Sequence, residues 1–413
     1  MGNKKETLWT KDFSCITVAT ILSAIGGEAM NLPLSLLVFD ETQSTLLAAI
    51  LLICGMLPDV ILPILVAPII DRGSKKKWIV GLDLLMMVLY LGMGVWATQI
   101  GFNYGMYIVF VLMVGTISVF YRLSFSAWYP DLIPVGFEQK GFAVSGMLYP
   151  LITICMAPVA TFLYQQVSIS MIFYSVAGLT LISVIAEMCI QEKRCHRSEK
   201  YTLKMYFKDM KEGFMYLKQE HGVKNIYTYM SITCGASEGV TVMTQAYYQT
   251  QPMLSITMLG FLKSAEMLGR VLGGMIQYKF VIPANKRYAF TKLVYTVYDS
   301  MDALLLFMPY PLMVVNRFLC GALGSASATI RSVAIQSYLP PDIRARVQAL
   351  FSTIFAVGGI TFQFVAGILG EFLPYRMVAF LLGTLTLVSM ICLIVIPKKD
   401  NGPIYAAERT SVE

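Results

Sequence analysis

Apolar runs long enough to cross a bilayer recur along this whole chain, and that recurrence constrains its fold more than any single motif. The stretch "FSCITVATILSAIGGEAMNLPLSLLVF", residues 13–39, holds one carboxylate, Glu28, and no lysine or arginine. Of the 413 residues only 14% are charged and 56% are hydrophobic, against about 25% charged in soluble chains. A soluble globular domain is therefore excluded. In lipid a segment must satisfy its own backbone polar groups, and runs well beyond the roughly 9–11 residues of a barrel strand specify helices. Twelve spans are predicted, at 13–38, 44–69, 78–100, 105–128, 142–166, 170–190, 226–249, 255–278, 290–307, 311–336, 346–371 and 376–396. The first is expected to be retained, because its apolar run is too long for a signal-peptide core and no small-residue cleavage site follows "MGNKKETLWTKD".

Charge alternates with the spans. The connections "DETQ", "GFNY", "QQVSIS", "QTQPML" and "PYP" contain no lysine or arginine, whereas "DRGSKKK", the segment 191–225, "KFVIPANKR", "DIRAR" and "PKKD" carry most of them. The positive-inside rule then places both termini in the cytoplasm of a multi-pass cell-membrane protein. The net charge of +7 reports that topology, so no nucleic-acid partner is expected.

Residues 191–225 form the one long linker, polar and basic, with an amphipathic pattern in "LKMYFKDMKEGFMYL". It divides the chain into an N-terminal six-helix bundle, 1–190, and a C-terminal bundle with a short cytoplasmic tail, 226–413. The halves repeat at an offset of about 210 residues. "GGEAMN" matches "ASEGVT", pairing Glu28 with Glu238. "GTISVFYRLSFSAWY" matches "GSASATIRSVAIQSY", pairing Gly115 with Gly324, Arg122 with Arg331 and Tyr129 with Tyr338. "GSKKKW" matches "ANKRYA" in the same order. Parallel six-plus-six repeats are a transporter architecture.

Several chemistries are excluded. The eight cysteines are scattered singly, with Cys15, Cys54, Cys155, Cys234, Cys320 and Cys392 inside spans, and read as small packing residues. Both histidines, His196 and His221, fall in the linker, so neither a metal site nor a histidine relay is expected within the membrane. No nucleophile–base pair, H-E-x-x-H or P-loop motif occurs in the spans. The chain is expected to be no enzyme and to need no cofactor.

At "APIIDRGSKKKWIV" the chain resembles the major facilitator superfamily, whose signature after its second span runs roughly G-x-L-A-D-R-x-G-R-R. Asp71 and Arg72 match, Gly73 and Ser74 stand at the spacer, and Lys75 to Lys77 supply the basic run. "SFSAWYPDLIPVGFEQKGFAVSGML" and "SYLPPDIRARVQALFSTIF" are similar to the corresponding segments of macrolide-efflux and enterobactin-exporter-like members. The resemblance implies a cytoplasmic gating latch of Asp71, Arg72, Lys75, Lys76 and Asp131. It also implies that spans 1, 4, 7 and 10 line a central cavity. The glycine-rich antiporter signature of the fifth span is altered here. In "ITICMAPVATFL" Pro158 stands, while Ala157, Ala160 and Thr161 replace glycines.

Ionisable residues inside spans are functional candidates, since a charge at mid-bilayer costs roughly 2.5–3.5 kcal/mol on insertion scales. Glu28 and Asn31 lie one turn apart on the first span and Glu238 at the matching place on the seventh. With no histidine in the spans, a proton-coupled cycle needs such carboxylates, and these three are the candidates for coupling or substrate contact. Lys263, Glu266 and Arg270 share one face of the eighth span, with Asp59 at the matching depth of the second. They are expected to form a paired polar cluster that supports packing. Arg122 and Arg331, in the cytoplasmic thirds of their spans, are candidates for snorkelling or for contact with an anionic substrate group. Asp83, Asp299 and Asp302 are assigned no chemistry.

The combined expectation is an all-α secondary transporter with two six-helix bundles, monomeric, working by alternating access. It moves an amphipathic small molecule outward as a multidrug-type antiporter driven by protons. Uptake by symport and lysophospholipid-type flipping by the same fold stand as alternatives, and a non-transporting membrane sensor as a distant one.

Overall fold

The computed structural model describes residues 7–70, 74–134, 137–191, 203–279 and 282–407. Among these residues the chain is helical almost throughout and has no strand. In chain order the helices are α1 (Lys11–Thr42), α2 (Thr45–Ile70), α3 (Lys75–Gln99), α4 (Tyr104–Leu132), α5 (Glu138–Gln166), α6 (Ile169–Met188) and α7 (Leu203–Gln219). They continue as α8 (His221–Thr250), α9 (Ile256–Lys279), α10 (Ala284–Leu304), α11 (Tyr310–Tyr338), α12 (Pro341–Phe372), α13 (Tyr375–Met390) and α14 (Lys398–Ala406). Eight of the described helices are long and apolar enough to cross a membrane by length and composition: α1, α3, α4, α5, α6, α11, α12 and α13. The described apolar part of α2, Thr45–Val60, is shorter. Helices α9 and α10 lose apolarity through Lys263, Glu266, Arg270, Lys292, Asp299 and Asp302, and α8 through its run of Thr, Ser, Tyr and Gln.

Short connections explain the sharp reversals. Ser74 accepts from Lys77 N at 3.2 Å and starts α3, and Asn103 accepts from Met106 N at 3.2 Å and starts α4. Gly101, at φ +83°, makes the turn between those two helices without the penalty a Cβ would bring.

The chain divides into two compact units, residues 1–37 with 54–202, and residues 38–53 with 203–413. The first packs Phe13, Ile16, Ile79, Trp128, Tyr129 and Ile190 into one core cluster. The second packs Val223, Ile226, Tyr227, Tyr229, Tyr295, Ala334 and Tyr405 into another. The π-turn at Ile391–Val395 and α14 close that core, with Asn401 Nδ2 donating to Leu393 O at 2.8 Å and Ile394 O at 3.1 Å. Both units invert the soluble pattern. Met171, Ile182 and Ile185 are more than half exposed on α6, whereas Asp83, Glu187, Asp299, Asp302 and Arg317 are buried. A lipid-facing exterior accounts for that arrangement.

Residues 38–53 belong with the second unit because they are bonded to it. Thr45 Oγ1 donates to Gly367 O at 2.9 Å, and Ser44 Oγ and Leu46 N donate to Glu371 Oε1 at 2.6 and 2.9 Å. Gln249 Nε2 donates to Asp40 Oδ1 at 2.7 Å. Glu371 thus satisfies the N-terminal amides of α2, where a carboxylate also complements the helix dipole.

Candidate functional site

In the first unit Glu28 lies midway along α1, 7% exposed, and accepts from Thr153 Oγ1 of α5 at 3.1 Å. Asn31, one turn on, is exposed. In the second unit Glu238 of α8 is exposed and accepts from Gln363 Nε2 of α12 at 3.2 Å. Each glutamate is the eighteenth residue of its helix. Their partners obey the same offset, since Thr153 and Gln363 are separated by the interval that separates Glu28 from Glu238. Each unit therefore presents one carboxyl on a long helix, α1 or α8, with a polar donor on another, α5 or α12. Thr153 and Gln363 are absent from the sequence candidates; the 210-residue register pairs the two positions with each other but does not say that they face the glutamates.

The remaining candidates separate by unit. Asp59 of α2 lies in the first unit. Its carboxylate pairs with Arg122 of α4, Nη2 to Oδ1 at 2.6 Å and Nη1 to Oδ2 at 3.3 Å, with side chains 42% and 57% exposed. The two-pronged geometry commits the Arg122 guanidinium to an internal anion. On α9, Arg270 pairs with Glu266 one turn earlier at 2.7 Å, and Lys263 is half-buried on the same helix. Arg331 of α11, matched to Arg122 by the repeat, donates instead to Tyr295 OH at 3.2 Å.

Asp71 and Arg72 lie outside the described residues. Beside them, Lys75 Nζ donates to Ala127 O at 3.0 Å and stands 3.7 Å from Asp131. Lys76 Nζ donates to Met188 O and Ile190 O, each at 2.7 Å. The basic run after α2 therefore ties the start of α3 to the ends of α4 and α6. Lysines are suited to such helix C-termini because free carbonyls collect there.

Sequence reasoning missed the buried pair of the second unit. Arg317 of α11 donates to Asp302 of α10, both under 10% exposed, with Asn316 Oδ1 3.2 Å from the same guanidinium nitrogen. Asp302 lies in the ninth span, and the sequence assigns it no chemistry. The signal available was Arg317 itself, a cation near the start of the eleventh helix, 14 residues before Arg331.

The geometry agrees with what comparison finds. The profile described as Major Facilitator Superfamily matches residues 16–297 and 301–412. Macrolide efflux protein A of Streptococcus pyogenes is 20% identical over 371 residues, covering 86% of this chain and 88% of that protein. Among solved structures, the nucleoside transporter NupG shares the fold at TM-score 0.72 and 14% identity, over 94% of this chain and 99% of that one. A bacterial homologue of the human lysosomal transporter Spinster, inward-facing and unoccupied, matches at TM-score 0.67 and 13% identity over the full length of both. A profile match over nearly the whole sequence, on a helical fold shared end to end with solved transporters, makes this chain a membrane transporter of the Major Facilitator Superfamily.

Proposed function

We propose that the protein is a proton-coupled exporter of an amphipathic small molecule, working by alternating access in the cell membrane. The carrying observation is the repeated station of carboxyl and donor, Glu28 with Thr153 and Glu238 with Gln363, at one shared offset. A carboxyl inside a span hinders insertion, and such residues in transporters mark proton and substrate pathways. Export is supported by the relative whose name describes macrolide efflux. In this reading twelve spans form two bundles, 1–190 and 226–413, joined by 191–225, with both termini cytoplasmic and the monomer as the working unit.

The test uses purified protein in proteoliposomes, a macrolide such as erythromycin as probe, and imposed pH gradients of either sign. Expected is uphill movement of the probe against the proton flow. Glu28→Gln keeps the shape and removes the titration, so it abolishes pH-driven transport and leaves probe binding and downhill exchange in place. Glu238→Gln does the same or changes which probes are accepted. A Glu28→Gln/Glu238→Gln double variant that concentrates the probe like wild type would show that the coupling site lies elsewhere. Co-movement of probe and protons would replace export with uptake.

A further inference from the structure

A second group of acids lies inside the first unit, built by α1, α3, α4 and α6. Ser183 Oγ donates to Asp83 Oδ2 at 3.3 Å, Ser23 Oγ donates to the same oxygen at 3.5 Å, and the two serine hydroxyls stand 3.2 Å apart. Tyr121 OH donates to Glu187 Oε1 at 3.1 Å. Ser183 and Glu187 are one turn apart on α6, which puts both acid contacts on one face of that helix. Asp83 is 6% exposed and Glu187 0%.

The donors do not balance the acids. Three hydroxyl protons serve two carboxyl groups, and Ser183 Oγ also lies 3.3 Å from Ala19 O, which competes for its single proton. Glu187 Oε2 is buried with no hydrogen-bond partner. Among the described residues no lysine or arginine pairs with either acid. Lys76, at the start of α3, has its ammonium on the carbonyls of Met188 and Ile190. The other titratable groups facing the cluster are tyrosines: Tyr121 from α4, Tyr90 from α3 and, beyond it, Tyr149 from α5. Two ionised carboxylates desolvated together with no cation repel each other and lose hydration that nothing replaces. A buried carboxylate oxygen without a donor carries its desolvation cost uncompensated, a cost much reduced for a neutral acid.

We propose that Asp83 and Glu187 form a proton-binding site inside the first unit. One proton added to the doubly ionised pair converts a carboxylate to a carboxylic acid and takes the pair from two negative charges to one. The hydroxyls of Ser23, Ser183 and Tyr121 hold the charge that remains. Among the described residues the second unit has no copy of this site. The position matching Asp83 is Leu293, Asp302 is neutralised by Arg317, and Asp299 accepts from Tyr229 OH at 2.9 Å. As a second station for the coupling ion the site rests on the proton-coupled reading above, whereas its ability to bind a proton does not.

The experiment follows the carbonyl stretch of protonated carboxyl groups by infrared difference spectroscopy, as a function of pH. It uses the full-length protein with Glu28→Gln and Glu238→Gln as background. A D2O-sensitive band that titrates is expected. Asp83→Asn and Glu187→Gln should each remove or displace it, and their separate changes should fail to sum to that of the double variant, as for a shared proton. Tyr121→Phe keeps both acids and the ring, and should move the midpoint of the same band. Single-variant changes that add to the double, or a Tyr121→Phe spectrum identical to the background, would overturn the shared site. A band displaced by Na+ at constant pH would replace it with a metal-cation site. Erythromycin transport under a pH gradient is measured in parallel on otherwise wild-type protein. A wild type indifferent to the gradient removes the proton-coupled reading, while the infrared titration still decides whether the pair binds a proton.

Discussion

Arg317 and Asp302 show how much rests on single charges in this protein. Both are buried and satisfy each other, with Asn316 as a further acceptor. Asp302→Asn leaves the guanidinium buried and unpaired, a change that costs about 3–5 kcal/mol in comparable pairs. The expected outcome is a large drop in the thermal stability of the detergent-solubilised protein. Replacing both, as Asp302→Asn with Arg317→Met, should restore most of it, because an apolar pair of similar volume carries no desolvation penalty. Thermal unfolding followed by size-exclusion chromatography checks both. Glu28 and Glu238 each accept from a neutral donor, Thr153 and Gln363.

Helix pairs in lipid pack through small residues, because burying apolar side chains against each other gains little over burying them in lipid. Helices α9 and α11 approach so closely that a Cβ on Gly269 would stand 2.0 Å from Phe318 O, and one on Gly321 2.0 Å from Glu266 O. Gly321→Leu should force the two helices apart and lower thermal stability by about 1–3 kcal/mol or more. Gly324, three residues on, would place its Cβ 3.5 Å from the Tyr298 ring, an ordinary contact. Gly324→Ala should be neutral or stabilising by up to about 1 kcal/mol through helix propensity. The repeat matched Gly324 to Gly115, yet a Cβ on Gly115 would meet Gly55 O at 2.7 Å. Alignment of two glycines does not reveal which one a neighbouring backbone presses against.

Residues 38–53 run on from α1 and into α2 but are held by α12, through Thr45 to Gly367 and through Glu371 to Ser44 and Leu46. If the cycle parts this segment from α12, a covalent link there must stop it. A Cβ on Gly367 would lie 2.8 Å from Ala49 Cβ, within about 1 Å of disulfide spacing. An Ala49→Cys/Gly367→Cys variant, in a background without the native cysteines, is expected to lose transport on oxidation and regain it with reductant. Full transport by the cross-linked protein would show that the contact persists through the cycle. Asp71 belongs to the same scale. Asp71→Asn should slow transport while probe affinity is kept, as initial rates compared with equilibrium binding would show.

The spacing of apolar runs was enough to place the long helices, because a segment in lipid has few ways to satisfy its backbone. Their ends were less legible, since capping and fraying act over single residues. The tenth helix begins at Ala284, six residues before the span expected at 290, and gives way at Leu305–Phe307 to a 3-10 turn. The 210-residue register was also present in the linear chain, and it carried Glu28 and Glu238 to equivalent helical positions. Partners were not so readable. Nothing in the order of residues joins Asp59 to Arg122 across 63 positions, or Asp83 to Ser183 across 100. Those contacts depend on the rotation of each helix about its own axis and on which glycines let neighbours close in. Both are set when whole helices pack together, so a charge that reads in sequence as an isolated candidate acquires its chemistry only in the folded bundle.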